Sequence, residues 1–177
     1  MYTYYMAILH RPPEELHVDD RALLYFLAGP IQGAQPWQDE AFGYLDVLAP
    51  NQAIHVASPR REHQGGKFTS EDKSNQIRWE KRNLQRANKN GGVLVWLAKR
   101  DMSLPYKEDR AYAQTTRHEF GRLMGWLDYG SSVRVAIGME PGYRGNEDYY
   151  ADSAAEFSIP VHDNLEDTCR YLLNVRS

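Results

Sequence analysis

Leu23–Ala28, with the sequence LLYFLA, is a run of six residues without a charge, and Gly29-Pro30 follows it at once. A strand that is apolar at every position, rather than at alternate positions, is buried on both faces of its sheet. Glycine and proline then interrupt regular structure, so they mark the end of the strand. The stretch predicts a central strand of a parallel sheet that is covered by helices on both sides.

Further short apolar runs alternate with helical patterns along the rest of the chain. Alternation of this kind is typical of a mostly parallel sheet between two layers of helices, and no linker or repeat divides the 177 residues. We therefore expect a single α/β domain over residues 1–177, with residues 138–150 as a loop and an extra strand and loop possible within residues 1–20. The predicted strands are residues 23–28, 53–57, 93–97, 133–137 and 157–161, with 4–9 as the candidate extra strand, and the predicted helices are 37–48, 71–87, 115–127 and 164–173.

The composition excludes several classes of protein. The net charge is −3 and there is one cysteine, Cys169, so neither a general attraction to nucleic acid nor an internal disulfide is expected. No apolar run approaches the roughly 20 residues that span a bilayer, and the N-terminus lacks the pattern of a signal peptide. We expect a soluble, cytoplasmic protein with no membrane partner, no metal and no cofactor.

Glu80 is the first candidate catalytic residue. At 100° per residue it falls inside the apolar stripe formed by Ile77, Leu84 and Ala87 on the helix predicted at 71–87. A carboxylate on the core side of a helix is expensive unless it is paired or faces a cavity. A buried salt bridge or a partly solvated glutamate explains the position equally well, so the pattern alone leaves these alternatives open.

Glu119 is the second candidate. It lies at the edge of the apolar arc of the helix predicted at 115–127, near its N-terminus, where the helix dipole is expected to favour the ionised form. Ordinary helix-terminus electrostatics would also place a glutamate there. Two carboxylates that reach one crevice can supply a nucleophile and a proton donor, provided that their environments separate their pKa values.

Arg60 and Arg61 stand in the loop 58–70, after the second predicted strand. In parallel sheets ligands bind beyond the carboxyl ends of the central strands, which would bring this loop, residues 29–33 and residues 97–110 around one crevice. Arginine offers a bidentate fork for a substrate phosphate, whereas a solvated basic loop is the alternative.

Three ordered segments resemble the nucleoside 2-deoxyribosyltransferase family, in its divergent branch. They are Phe26-Leu27-Ala28-Gly29-Pro30-Ile31 with Trp37; Gln76-Ile77-Arg78-Trp79-Glu80, which runs into Val93-Leu94-Val95-Trp96-Leu97; and Thr115-Thr116-Arg117-His118-Glu119-Phe120-Gly121. Gly138-Met139-Glu140-Pro141-Gly142-Tyr143 adds a fourth likeness. The sequence departs from the family pattern at Glu80, where the family has an aspartate, and at Ala113, where many members have an acidic residue.

The resemblance implies a flavodoxin-like three-layer sandwich with a mostly parallel five-stranded sheet, and a homo-oligomer of two or more copies. It also implies an enzyme that cleaves or transfers at the N-glycosidic bond of a (deoxy)nucleoside or nucleotide, with a transferase or hydrolase outcome. Glu119 would be the nucleophile, and Glu80 would handle the proton on the base. The substrate would contact a set of residues around the crevice: Ala28, Gly29, Pro30, Ile31, Trp37, Arg60 and Trp79.

Two other functions fit the sequence. The first is a non-catalytic nucleotide-binding module of the same fold, in which the carboxylates only recognise a ribose or base. The second is nucleic-acid binding through the basic side chains of the helix at 71–87, among them Arg78, Lys81 and Arg82. The negative net charge argues against the second.

Overall fold

The computed structural model describes residues 6–19, 21–62, 69–106 and 111–174. Within these ranges the strands are β1 (Ile8–His10), β2 (Leu23–Ala28), β3 (Ile54–Ala57), β4 (Gly91–Leu97), β5 (Arg134–Met139) and β6 (Val161–His162). The helices are α1 (Trp37–Leu48), α2 (Ser70–Lys89), α3 (Gln114–Asp128), α4 (Glu147–Glu156) and α5 (Leu165–Asn174). None of these helices is both long and apolar enough to cross a membrane.

All the strands run parallel in the order β1-β3-β2-β4-β5-β6. One face of the sheet packs against α1 and α5, and the other packs against α2, α3 and α4, with a separate apolar cluster on each side. Without the edge strand β1 the strand order is that of flavodoxin, so the direction of winding reverses between β2 and β4. The predicted α/β, flavodoxin-like three-layer sandwich is confirmed.

The strand count and the C-terminal third differ from the prediction. β1 adds a sixth strand at the edge beside β3, while residues 4 and 5 of the predicted strand 4–9 lie outside the described residues. Residues 138–150 are not one loop, since they contain the end of β5 and the start of α4. The pattern missed α4 because only Tyr150 and Ala154 are buried on it, which is too short an apolar stripe to recognise. The predicted strand 157–161 is wrong up to residue 160, and only its last residue belongs to β6.

Helix α2 begins at a capping box, and the N-terminal segment of the chain covers one of its sides. The Thr69 hydroxyl accepts a hydrogen bond from the Asp72 N–H at 3.1 Å, and the Asp72 carboxylate accepts one from the Thr69 N–H at 2.9 Å, which is a capping box. Further along, the Trp79 indole N–H donates to the Glu14 carbonyl at 2.7 Å, and Arg82 pairs with Glu15 at 3.3 Å. The N-terminal segment thus lies across α2 and uses part of its basic surface.

This covering segment changes which residues of α2 are buried. Trp79, Asn83, Leu84 and Ala87 are buried, whereas Ile77 is 41% exposed. The prediction that Ile77 belongs to the buried stripe is therefore wrong, because the segment across Trp79 shifts the buried face toward that side. Glu80 consequently lies at the border of the buried face, and its side chain is partly exposed.

Candidate active site

Glu80 on α2 and Glu119 on α3 lie on the same face of the sheet and interact electrostatically. Each glutamate is partly buried. The structure therefore brings together the two carboxylates that the sequence singled out, although they are 39 residues apart in the chain.

The two carboxyl groups have different electrostatic environments. Burial, and then the charge of Glu80, raise the pKa of Glu119 from 4.5 to about 8. The expectation that the helix dipole keeps Glu119 ionised is therefore wrong, because desolvation and a like charge outweigh a partial charge at the helix end. Burial also raises the pKa of Glu80, but a hydrogen bond from Gln76 and the charge of Arg61 oppose that rise. With a pKa of about 8, Glu119 holds a proton at neutral pH.

Gln76 is the residue that orients Glu80. Its amide nitrogen donates to Glu80 Oε1 at 2.9 Å and to the Pro59 carbonyl at 3.2 Å, and its amide oxygen accepts from Arg61 Nε at 2.9 Å. Arg61 also donates to the Asp72 carbonyl at 3.2 Å. One side chain therefore joins the carboxyl end of β3 to the carboxylate on α2. Sequence reasoning gave Gln76 no role, although an amide four residues before a carboxylate on a helix is a recognisable pair.

Replacing Gln76 by alanine is expected to raise the pKa of Glu80 further, because the ionised carboxylate loses its hydrogen-bond donor. The lost contacts to Pro59 and Arg61 should also lower the free energy of unfolding by about 1–2 kcal/mol. A titration of the side-chain carboxyl carbons by nuclear magnetic resonance and a urea unfolding curve measure the two effects. Gln85→Ala, an exposed glutamine on the same helix, is the matched control. An unchanged Glu80 titration in the Gln76 variant would refute the orienting role.

Most residues predicted to contact substrate are buried in this structure. Ala28, Gly29 and Pro30 have no appreciable exposure, and Trp37 and Trp79 are 4% and 5% exposed. A Cβ on Gly29 would lie 2.4 Å from the Trp96 carbonyl oxygen and 2.5 Å from the Trp37 ring, so its missing side chain makes room for packing. Ile31 and Arg60 keep partly exposed side chains. Contact with a substrate stays a prediction for all seven residues.

Two clefts are formed among the described residues, and neither has a wall that includes Glu80 or Glu119. One, of about 470 Å³, lies between the N-terminal ends of α1 and α5, and its walls include Trp37, Glu40, Trp96, Glu140 and Asp163. The other, of about 400 Å³, lies between α3 and α4, and its walls include Arg117, Phe120, Tyr149 and Tyr150. The carboxylate pair identifies the candidate site, because such a pair can supply both a proton and a nucleophile for carbon.

The start of α3 carries local strain. Ala113, the N-cap residue, has φ 57° and ψ 27°, in the left-handed region, and makes no side-chain cap. An alanine in this conformation is less stable by about 1–2 kcal/mol than in a right-handed one. The helix that carries Glu119 therefore begins at a strained residue. The resemblance drew attention to this position through the missing acidic side chain, and its conformation became visible only in the structure.

No protein-family model matches the chain, and no curated protein matches it.

Proposed function

We propose that the protein cleaves or transfers at the N-glycosidic bond of a nucleoside or nucleotide, with Glu119 as the nucleophile and Glu80 as its acid–base partner. The observation that carries the proposal is the pairing of Glu80 and Glu119 on one face of the sheet, in which burial, and then the charge of Glu80, raise the pKa of Glu119 to about 8. The ordered likeness to the nucleoside 2-deoxyribosyltransferases supports the choice of substrate, and the flavodoxin-like strand order agrees with that family's fold.

The chemistry balances with the groups that the pair supplies. An oxygen of Glu119 forms an ester bond to the anomeric carbon while the glycosidic carbon–nitrogen bond breaks. The electron pair of that bond stays on the base nitrogen, which takes the proton held by the two carboxyl groups. Because this proton lies on Glu119 in the free protein, it must pass to Glu80 or to the base before Glu119 attacks. Water or a second base then attacks the anomeric carbon, the ester breaks to free the Glu119 carboxylate, and Glu80 takes the proton that the attacking group releases.

The alternative of a non-catalytic nucleotide-binding module has one observation in its favour. Glu119 is protonated in the free protein, and a neutral carboxyl donates a hydrogen bond but does not attack carbon. In such a module the pair would only recognise a ribose hydroxyl or a base. The family assignment, the homo-oligomeric state and the cytoplasmic location are likewise proposals that come from the resemblance and composition.

A chromatographic screen tests the function directly. Purified protein is incubated with deoxynucleosides, ribonucleosides and their 5′-monophosphates, with and without an acceptor base, beside the variant Glu119→Ala. We expect base release or base exchange from one class of substrate and none from the variant. If the wild-type protein binds one of these compounds but releases no base from any of them, the binding module replaces the enzyme as the better description.

A further inference from the structure

Arg60 lies at the carboxyl end of β3 and reaches toward α1. Its Nη1 donates to Gln38 Oε1 at 3.4 Å, which is a long hydrogen bond to a neutral acceptor. Gln38 is fully buried, and its amide nitrogen donates to the Pro30 carbonyl at 3.3 Å. The guanidinium of Arg60 is therefore held beside the ends of both β2 and β3, next to the point where the sheet reverses its winding.

Arg60 differs from the two arginines near it in the charges around it. Arg11 has Asp39 at 2.6 Å and Glu62 at 3.2 Å, and Arg61 has Asp72 at 3.9 Å. Within the described part of the chain, no carboxylate oxygen lies within 4 Å of the Arg60 guanidinium. Burial, and the nearby charge of Arg11, lower the pKa of Arg60, although Asp39 opposes the change. A partly desolvated cation without an adjacent carboxylate favours an anionic ligand.

The position of Arg60 relative to the glutamates restricts what that anion is. The carbonyl of Pro59, the preceding residue, accepts the Gln76 amide that also donates to Glu80. Arg60, which contacts Gln38 on α1, and Glu80 on α2 therefore lie on opposite sides of the same sheet edge, linked through Pro59 and Gln76. In a nucleotide the 5′-phosphate is attached across the sugar ring from the anomeric carbon. A sugar whose anomeric carbon is at the carboxylates would carry its phosphate away from these negative charges.

We propose that Arg60 binds the 5′-phosphate of the substrate, so that the substrate class is nucleoside 5′-monophosphates rather than nucleosides. This inference rests on the proposed function, because it takes the carboxylate pair as the place of the anomeric carbon. The charged fork of Arg60 recognises the phosphate, while Gln38 holds the fork in place from the side of α1.

The experiment compares kcat/KM for one deoxynucleoside and its 5′-monophosphate in the wild-type protein, Arg60→Gln, Arg60→Lys and Arg170→Gln. Arg170 is an exposed arginine on α5, so its variant controls for the loss of one positive charge. We expect Arg60→Gln to lower kcat/KM for the monophosphate by about tenfold to a hundredfold and to leave the nucleoside within about twofold. Arg60→Lys keeps the positive charge but not the planar fork, so its kcat/KM for the monophosphate should lie between the values for the wild-type protein and Arg60→Gln. Melting temperatures verify that each variant is folded.

Other outcomes overturn the inference without overturning the enzyme. The phosphate subsite is refuted if the wild-type protein cleaves the nucleoside at least as well as the monophosphate. It is also refuted if Arg60→Gln loses both activities equally. A further arm supplies the nucleoside with inorganic phosphate, and formation of a sugar 1-phosphate would assign Arg60 to a free phosphate acceptor instead. If no compound is cleaved, the proposed function fails, and calorimetry then decides the subsite. The subsite is supported if the wild-type protein binds the monophosphate more tightly than the nucleoside and Arg60→Gln does not. It is refuted if the wild-type protein binds the two compounds equally.

Discussion

Glutamine at position 119 is expected to abolish base release, with kcat lowered by at least about 10³-fold. Glutamine keeps the size of the side chain and resembles the protonated acid that burial and Glu80 favour in the free protein. It has no carboxylate oxygen to form the ester with the anomeric carbon, so the loss is chemical rather than structural. Glu80→Gln removes proton transfer but keeps the nucleophile, so we expect it to lower kcat by about 10²- to 10⁴-fold without abolishing ester formation.

Mass spectrometry of the glycosyl-enzyme tests the assignment of roles. In Glu80→Gln, slow turnover should allow one sugar to accumulate on the peptide that contains Glu119. The control is Glu156→Gln, an exposed glutamate on α4 that should leave kcat unchanged. A sugar found on Glu80 in the wild-type protein, or a Glu119→Gln variant with full activity on a confirmed substrate, would contradict the mechanism.

The free energy of unfolding of the wild-type protein is expected to fall as the pH rises from about 4.5 to about 8, through the contribution of Glu119. The pKa of this carboxyl is about 8 in the folded protein, against 4.5 for an ordinary glutamate. Between these values the folded protein keeps a proton that the unfolded chain has released, so raising the pH favours unfolding. The contribution is fully present below pH 4.5 and is lost above pH 8, a change on the order of 3–5 kcal/mol.

Urea unfolding at a series of pH values measures this effect. Glu119→Gln has no ionisable group at this position, so its free energy of unfolding should not show the fall with pH that Glu119 causes. At pH 8 and above, the variant should be more stable than the wild-type protein. Glu156→Gln should follow the wild-type curve. Parallel curves for the wild-type protein and Glu119→Gln would mean that Glu119 ionises without penalty, and the electrostatic basis of the paired site would be lost. A variant that is more stable but inactive would fit a site where function opposes stability.

Much of the architecture was predictable because it depends on local patterns. The run Leu23–Ala28 predicted a central strand, and β2 is buried from its second residue onward. Trp37–Leu48 was predicted with the bounds that the structure has, since its apolar spacing continues through the whole helix. The elements with weak patterns were missed or misplaced: α4 buries only two side chains, and β6 has two residues.

The candidate site was predictable in its two glutamates but not in their surroundings. Glu80 was selected because it fell inside an apolar stripe that included Ile77. Ile77 is exposed in the structure, and Glu80 lies at the border of the true buried face. Arg60 and Arg61 are adjacent in the loop after β3, and the sequence pattern offered the same phosphate-binding role to both, although only Arg60 was placed among the predicted substrate contacts. The structure separates them, since Arg60 contacts Gln38 on α1 and Arg61 contacts Gln76 on α2.

The sequence by itself determined the fold class, the central strand and the presence of two glutamates on or beside the apolar faces of their helices. These properties follow from periodicity, which each segment carries on its own. Only the tertiary structure decided the protonation of Glu119, the hydrogen bonds of Gln76 and the absence of a carboxylate beside Arg60 within the described ranges. Each of these depends on desolvation or on a charge from a distant part of the chain, and both fall off over a few ångströms. Sequence spacing does not encode such distances until the chain has folded.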